Sequence, residues 1–229
     1  MTLRARLLSL VAILGLGLGA AHAGASHAST TLQPITTAAT APGDTLAVIY
    51  SGDGGWGKLD KAVAQQLADK GVPVIGVNSL AYFMTARTPK AAANDLADQA
   101  RRYQALWGRK KIVLIGYSFG ADALPVIVPA LPADVRAQVR SVVLVGVGQT
   151  GALKFRPNSW LNRPGPESYP VAPAVAALKG LPMTCIYGDK ERHDACLDLS
   201  MRRVELHGGH HFDGDYASLG QAVIDAAAL

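Results

Sequence analysis

The sequence predicts an α/β fold, a three-layer α/β/α sandwich around a mostly parallel sheet. Short apolar runs such as Thr45 to Tyr50 alternate along the chain with longer segments whose apolar residues recur at helical spacing. Runs that are apolar on both faces are typical of parallel strands, because right-handed crossovers cover both faces of the sheet with helices. The chain has 229 residues, which is enough for one such domain with a sizeable core.

The predicted elements follow in order from residue 45. The strand from Thr45 to Tyr50 precedes a helix from Leu59 to Ala68, which ends at Gly71. A strand from Val72 to Val77 is followed by a long helix from Pro89 to Trp107, since proline suits a first helical turn. The remaining predicted elements are the strand Lys111 to Ile115, a helix after Ser118, a strand at Ser141 to Val147, a helix near Ala172 to Leu178, strands at Met183 to Tyr187 and Arg202 to Leu206, and a final helix near Tyr216 to Ala228.

Residues 1–23 are predicted to be a secretory signal peptide. Arg4 and Arg6 precede an apolar stretch, and Ala21-His22-Ala23 has the small residues of a cleavage site. The apolar stretch is shorter than the ~20 residues that span a bilayer. Residues 24–44 are rich in Ala, Ser, Thr and Pro and are predicted to form a flexible segment, with the folded domain over 45–229. We therefore expect export of the protein.

The formal net charge is +5 at pH 7, a mild basic excess that includes Arg4 and Arg6. Such an excess favours approach to an anionic membrane surface, although an ordinary solvated surface would carry it equally well. The chain has no basic block and no interleaving of basic with aromatic residues. A nucleic-acid partner is therefore not expected.

Cys185 and Cys196 are the two cysteines of the chain. In an exported protein such a pair predicts one disulfide, and two buried free thiols are the alternative. The bridge would join the strand that begins near Met183 to the loop that follows it. It would either preorganise catalytic residues on that loop or only fasten a surface loop.

The segment from Gly116 to Gly120 has the pattern G-x-S-x-G, with Ser118 at its centre. It follows a predicted buried strand and precedes a predicted helix, which is the setting of the nucleophile elbow in α/β-hydrolases. Glycine is needed on both sides, because a larger side chain would collide with the adjacent strand or helix while the serine hydroxyl stays exposed. Ser118 is the predicted nucleophile; a structural serine in a glycine turn is the alternative.

A serine nucleophile needs a histidine base, which in this fold follows the acid along the chain. The segment after the last predicted strand contains His207, His210 and His211 beside a Gly-Gly pair. We favour His210, which directly follows the two glycines, whereas His211 precedes Phe212 and could be turned inward as packing. These histidines and the nearby aspartates match no metal-ligand spacing, so neither a metal nor another cofactor is expected.

The acid of the triad is expected after the strand that ends near Tyr187. Three carboxylates compete there: Asp189, Glu191 and Asp194. Glu191 has the spacing from the strand end that is usual for this fold, so it is the favoured residue. Its role would be to orient the histidine and to stabilise the imidazolium.

An oxyanion hole needs two backbone N–H donors that are already in place. The N–H of Phe119 is one candidate, and that of Asp53, in the glycine-rich loop from Ser51 to Trp56, is the other. A phosphate-binding loop is excluded, because Gly57-Lys58 is followed by Leu59 rather than by Ser or Thr. The aperiodic stretch from Gly148 to Pro170 is interpreted as a pocket rim or lid, or as an ordinary surface loop.

Several segments together resemble the bacterial virulence protein VirJ family, which includes the longer AcvB proteins. The similarity extends from about Thr45 to the C-terminus and rests on Ser51-Gly52-Asp53-Gly54-Gly55-Trp56, Asn78-Ser79-Leu80-Ala81-Tyr82-Phe83, Arg87-Thr88-Pro89, the serine motif through Asp122, and Gly208 to Tyr216. The resemblance implies an α/β-hydrolase-like fold, a periplasmic location, type IV secretion components as partners and, from the AcvB proteins, hydrolysis of lysyl-phosphatidylglycerol. The resemblance also implies the short form of the family, and Met84 stands where the family pattern has Trp.

The sequence thus predicts an exported serine hydrolase of esters, with the aminoacyl ester of phosphatidylglycerol as the substrate that the resemblance implies. Asp53 and Asp122 would offer negative charge to such a cationic substrate; alternatively, Asp122 satisfies backbone N–H groups. A general carboxylesterase or thioesterase would use the same triad. A binding protein that assists secretion and keeps the hydrolase fold is the alternative from another class.

Overall fold

The computed structural model describes residues 32–157, 165–178 and 180–229, and the predicted signal peptide lies outside them. The strands are β1 (Pro34–Thr37), β2 (Thr45–Tyr50), β3 (Val74–Val77), β4 (Lys111–Tyr117), β5 (Val139–Val145), β6 (Thr150–Gly151), β7 (Tyr169–Pro170), β8 (Met183–Gly188) and β9 (Arg202–Leu206). The main sheet has seven strands in the order β1-β3-β2-β4-β5-β8-β9, and β6 pairs with β7 separately. Only the β1–β3 pair of the main sheet is antiparallel.

Helices cover both faces of this sheet. They are α1 (Lys58–Asp69), α2 (Ser79–Phe83), α3 (Pro89–Trp107), α4 (Phe119–Ile127), α5 (Ala133–Arg136), α6 (Val171–Ala176) and α7 (Tyr216–Ala227). Apolar side chains of α1 and α7 pack against one face, and those of α3, α4 and α6 pack against the other. The predicted three-layer α/β sandwich is confirmed.

Strand β2 illustrates why the apolar runs have no polar face. Leu46 and Val48 pack beneath α3 and α4, while their neighbours Ala47 and Ile49 pack beneath α1 and α7. Successive side chains of a strand point to opposite faces, so a strand covered on both sides must be apolar throughout. All six residues of β2 are buried.

The prediction of a flexible segment over residues 24–44 is wrong for residues 32–37. Leu32 is buried in the core, and β1 pairs with the otherwise free edge of β3. Pro34 begins this edge strand, a position that does not require its missing N–H. The pairing covers the edge of β3, which would otherwise expose unpaired N–H and C=O groups. The composition of residues 32–37 does not indicate this stabilisation. Residues 24–31 lie outside the described part of the chain.

The short elements α2, α5, β6 and β7 were not predicted, because two to five residues are too few to show a periodic pattern. Their positions matter for the site, since β6 and β7 lie on the segment that borders it. Within the described residues, no helix combines the length and the apolar character needed to cross a membrane.

Candidate active site

Ser118 occupies a strained turn between β4 and α4. Its φ of 50° and ψ of −119° lie outside the regions that residues with a side chain usually adopt. A Cβ at Gly116 would come within 2.6 Å of the Ala121 backbone, and one at Gly120 would overlap the Tyr50 carbonyl. The turn therefore depends on glycine on both sides of the serine, as the motif predicts.

His210 lies on the loop after β9 and faces Ser118. Its Nε2 is 2.9 Å from the Ser118 Oγ, and its Nδ1 is 3.1 Å from the Glu191 Oε2. The three side chains form a continuous hydrogen-bonded chain in the order that proton transfer from a serine requires. The structure thus brings together the three residues that the sequence favours.

The other two candidate carboxylates have different partners. Asp189 accepts a hydrogen bond from the Gly208 N–H and lies 3.0 Å from the His207 Nδ1, so it fastens the start of the histidine loop. Asp194 is buried and accepts a hydrogen bond from the Cys196 N–H. Burial raises the pKa of Asp194 to about 7. Of the three carboxylates on this loop, Glu191 is the one that contacts His210.

The predicted disulfide is present and fastens the loop that carries Glu191. Cys185 on β8 is bonded to Cys196, with their Cα atoms 5.6 Å apart. Both cysteines are fully buried, and Glu191 lies inside the closed loop. The bridge therefore limits how far this loop can move from the end of the sheet.

Removal of the bridge is expected to destabilise the protein. The chain-entropy model gives about 3 kcal/mol for closing a loop of this length. We expect the Cys185→Ala/Cys196→Ala variant to melt several degrees below the wild type, and the purified oxidised wild type to be two hydrogens lighter than its reduced form. Equal melting temperatures, or two reactive thiols in the untreated protein, would contradict this expectation.

Asp53 and Phe119, the predicted oxyanion residues, lie on two segments that meet at Ser118. Phe119 begins α4 directly after the serine. A Cβ at Gly52, next to Asp53, would be 3.4 Å from the Ser118 Cβ. The loop of Asp53 is tied back by a hydrogen bond from the Gly55 N–H to the Gly52 carbonyl. This proximity is what a two-amide oxyanion site requires.

Asp60, which was not among the predicted site residues, also supports this loop. Its Oδ2 accepts a hydrogen bond of 2.8 Å from the Gly57 N–H at the start of α1. The carboxyl is buried, which raises its pKa to about 6. The sequence signal for this role is the position of Asp60, three residues after Gly57 at the start of α1. An acidic side chain at that position commonly caps a helix.

Asp122 is 9% exposed and borders the same cavity as Ser118. Its Oδ1 accepts a hydrogen bond of 2.7 Å from the Gly148 N–H, and its own carbonyl accepts one of 2.9 Å from the Tyr169 hydroxyl. Burial raises the pKa of its carboxyl to about 8. The Asp122 carboxyl therefore accepts a backbone N–H bond, as the alternative prediction states. Asp122 is also one of the residues that line the cavity.

The cavity above Ser118 has a volume of about 1060 Å³. Its lining includes the loop that contains Gly52 and Asp53 and the stretch after β5 that the sequence predicts as a pocket rim. Residues 148–152 and 154–156 line the cavity, as the rim prediction requires, while residues 158–164 lie outside the described chain. The remaining wall contains Ser118, Asp122, Glu191, His193, Asp194, His210 and His211.

The three buried carboxyls predict how stability changes with pH. The pKa values of Asp60, Asp122 and Asp194 are raised to about 6, 8 and 7, so the folded state holds more protons than the unfolded state above pH 4. Thermal stability is therefore expected to fall as pH rises from 5 to 9. Asp122→Asn should make this fall shallower. Melting curves across this range decide the matter, and a melting temperature that rises with pH would refute the expectation.

Several solved structures have a fold similar to that of this chain, among them proteins described as an α/β hydrolase and as an esterase domain. Est1E from Butyrivibrio proteoclasticus has 15% identity and a TM-score of 0.58, over 86% of this chain and 95% of that one. The α/β hydrolase GrgF from Penicillium sp. sh18 has 11% identity and a TM-score of 0.60, over 86% and 93%. An esterase domain from Rhodothermus marinus has 14% identity and a TM-score of 0.57, over 82% and 88%. Identities this low establish the fold alone.

No curated protein matches the chain. The family model described as bacterial virulence protein (VirJ) matches residues 44–228, which span the whole sheet except β1 and include every candidate site residue. The resemblance that the sequence motifs indicated is thereby confirmed, and the chain belongs to the VirJ family of bacterial virulence proteins.

Proposed function

We propose that this protein is an exported serine hydrolase that cleaves an ester. The observation that carries the proposal is the chain of contacts from Ser118 through His210 to Glu191, with distances of 2.9 and 3.1 Å, at a strained strand-to-helix turn. Such strain persists at sites where function requires it. Labelling by a fluorophosphonate probe, which reacts with activated serines whatever the natural substrate, tests the proposal.

In the proposed mechanism, the Ser118 Oγ attacks the ester carbonyl while the His210 Nε2 accepts the hydroxyl proton. The imidazolium then donates this proton to the leaving alcohol, and the acyl group remains on the serine. A water molecule, deprotonated by His210, cleaves the acyl-enzyme and restores Ser118. Glu191 holds the imidazole and stabilises its charged form. The N–H groups of Asp53 and Phe119 would stabilise the oxyanion.

For the substrate we propose the aminoacyl ester of a membrane phospholipid, such as lysyl-phosphatidylglycerol, which the protein would meet at the periplasmic membrane surface. Three features support this choice. The chain belongs to the VirJ family, the cavity of about 1060 Å³ exceeds the needs of a small acyl ester, and Asp53, Asp122 and Asp194 border it. Carboxylates in a partly desolvated pocket favour a cationic substrate. Type IV secretion components are the partners proposed with it.

A general carboxylesterase or thioesterase is the second candidate function. Solved structures of similar fold include proteins described as an esterase domain and as a thioesterase domain. The triad geometry serves these reactions equally well, because preference for an acyl or leaving group depends on the pocket.

Asp122→Asn separates the two candidates. Asparagine can still accept the Gly148 N–H bond through its Oδ1, so at pH 9, where the Asp122 carboxyl is mostly ionised, the change removes charge and keeps the main contact. At pH 9 we expect kcat/KM for a lysyl-glycerol ester to fall about 10-fold or more, with little change for a neutral acyl ester of similar size. The ratio of wild-type to variant kcat/KM on the lysyl ester should grow from pH 7 to pH 9, because the Asp122 carboxyl, with a pKa of about 8, ionises over this range while the lysyl ε-ammonium stays charged.

The neutral ester is the internal control of that experiment. Equal losses on the two esters would identify Asp122 as a structural residue without a role in selectivity. A wild-type preference for the neutral ester would remove the aminoacyl-lipid assignment and favour the general esterase.

A further inference from the structure

Tyr117 lies directly beneath the candidate catalytic histidine. It is the last residue of β4, immediately before Ser118, and it is 7% exposed. Its ring centroid is 5.5 Å from that of His210, with an angle of 32° between the planes. A Cβ at Gly52 would lie 3.1 Å from the Tyr117 Cε1, so the ring fills the space between the oxyanion loop and the histidine loop.

The Tyr117 hydroxyl contacts two consecutive residues of the histidine loop. It is 2.7 Å from the His211 Nδ1 and donates to the His210 carbonyl at 3.2 Å. A hydroxyl has one proton, so both contacts are hydrogen bonds only when the His211 Nδ1–H donates to the hydroxyl oxygen. The resulting chain runs from the His211 ring through the Tyr117 hydroxyl to the backbone of His210.

The histidine loop needs such external support, because its own backbone is strained. Phe212 and Asp213 have φ values of 52° and 49°. Positive φ at residues other than glycine costs free energy and persists only where the surroundings impose it. Buried Phe212 holds one side of the loop, and the Tyr117 hydroxyl holds the backbone at His210 itself.

The surroundings keep the Tyr117 hydroxyl protonated and able to donate. Burial raises its pKa, and the nearby Asp60 carboxylate raises it further. A tyrosinate, which has no proton to donate, is therefore disfavoured at this position.

We propose that Tyr117 and His211 are positioning residues that act together on His210. Through its carbonyl they hold the His210 backbone, and hence the imidazole, at the distance from Ser118 that proton transfer needs. The inference rests on the proposed serine-hydrolase function and adds residues outside the triad to it. When a catalytic group is displaced by a fraction of an ångström, the rate of the chemical step falls more than the affinity for the substrate does.

A double-mutant cycle tests this inference. Tyr117→Phe removes the hydroxyl and keeps the ring, and His211→Ala removes the ring that donates to it. We expect each variant to lower kcat and the rate of fluorophosphonate labelling about 10-fold, with KM changed less than twofold. The double variant should lose no more than either single variant, because one chain of bonds is broken in all three.

Two further variants complete the design. His211→Asn places an amide N–H near the position of the Nδ1 and should recover most of the lost kcat, which a merely space-filling role would not predict. Tyr187→Phe is the matched control, since its hydroxyl donates to the exposed Glu205 away from Ser118, and it should keep wild-type kinetics. Melting temperatures of all variants identify any that fail to fold.

The failures of the inference and of the proposed function are distinguishable. A wild type that neither hydrolyses esters nor reacts with the probe would overturn the serine-hydrolase function itself. An active wild type would overturn the inference alone if Tyr117→Phe kept its kcat, if the single losses multiplied in the double variant, or if His211→Asn were as impaired as His211→Ala.

Discussion

Replacement of Ser118 by alanine is expected to lower kcat for ester hydrolysis on the order of 10³-fold or more. In the proposed mechanism the hydroxyl is the attacking group, and its proton passes to the His210 imidazole 2.9 Å away in the first step. Members of a triad act as a unit, so removal of one of them removes nearly all of the nucleophilic catalysis. Steady-state kinetics on a soluble ester measure the loss.

The fold should survive this change, because the strained turn is imposed by β4 and α4 rather than by the serine hydroxyl. A melting temperature close to that of the wild type verifies this point. Ser218→Ala is a suitable control, since the Ser218 hydroxyl bonds only to Asp215 at the start of α7 among the contacts described. A Ser118→Ala variant that kept full activity would exclude Ser118 as the nucleophile.

Replacement of His210 by glutamine is expected to cause a loss of similar size. Glutamine cannot accept and return a proton near neutral pH, so Ser118 would lose its general base and the leaving group its acid. The change also breaks the contact with Glu191, which then has no imidazolium to stabilise. Kinetics at several pH values check that the loss is not a shifted optimum.

The neighbouring histidine provides the matched control. His211→Gln should retain far more activity than His210→Gln, because His211 contacts the Tyr117 hydroxyl rather than Ser118. An inactive His211→Gln beside an active His210→Gln would show that the base was assigned to the wrong histidine, although the mechanism would survive.

The sequence was most informative where one physical requirement, such as burial on both faces or a close backbone contact, determines both the local residue pattern and the backbone geometry. Apolar runs predicted the buried strands because a sheet covered on both sides admits few polar side chains. Gly116 and Gly120 predicted the turn because no other residue fits against Ala121 and Tyr50. The pairing of Cys185 with Cys196 was predicted from the expectation of export and from the absence of other cysteines in the sequence, and the structure contains it.

Sequence was least informative where partners are distant in the chain. Spacing favoured Glu191 over Asp189 and Asp194 on their loop, but only folding determines that its carboxylate contacts a histidine 19 positions away. The strand β1 was missed because its stability comes from pairing with β3 rather than from its own residues. The contact between Tyr117 and His211 spans 94 positions and has no local signature.

The most direct test of the central claim is to locate a fluorophosphonate adduct by mass spectrometry on intact protein and on its peptides. The wild type is expected to acquire one probe, on the peptide that contains Ser118, while Ser118→Ala acquires none. Prior heat denaturation should abolish labelling of the wild type, since activation requires the folded triad. A folded wild type that stays unlabelled, or an adduct on a residue other than Ser118, would contradict the account.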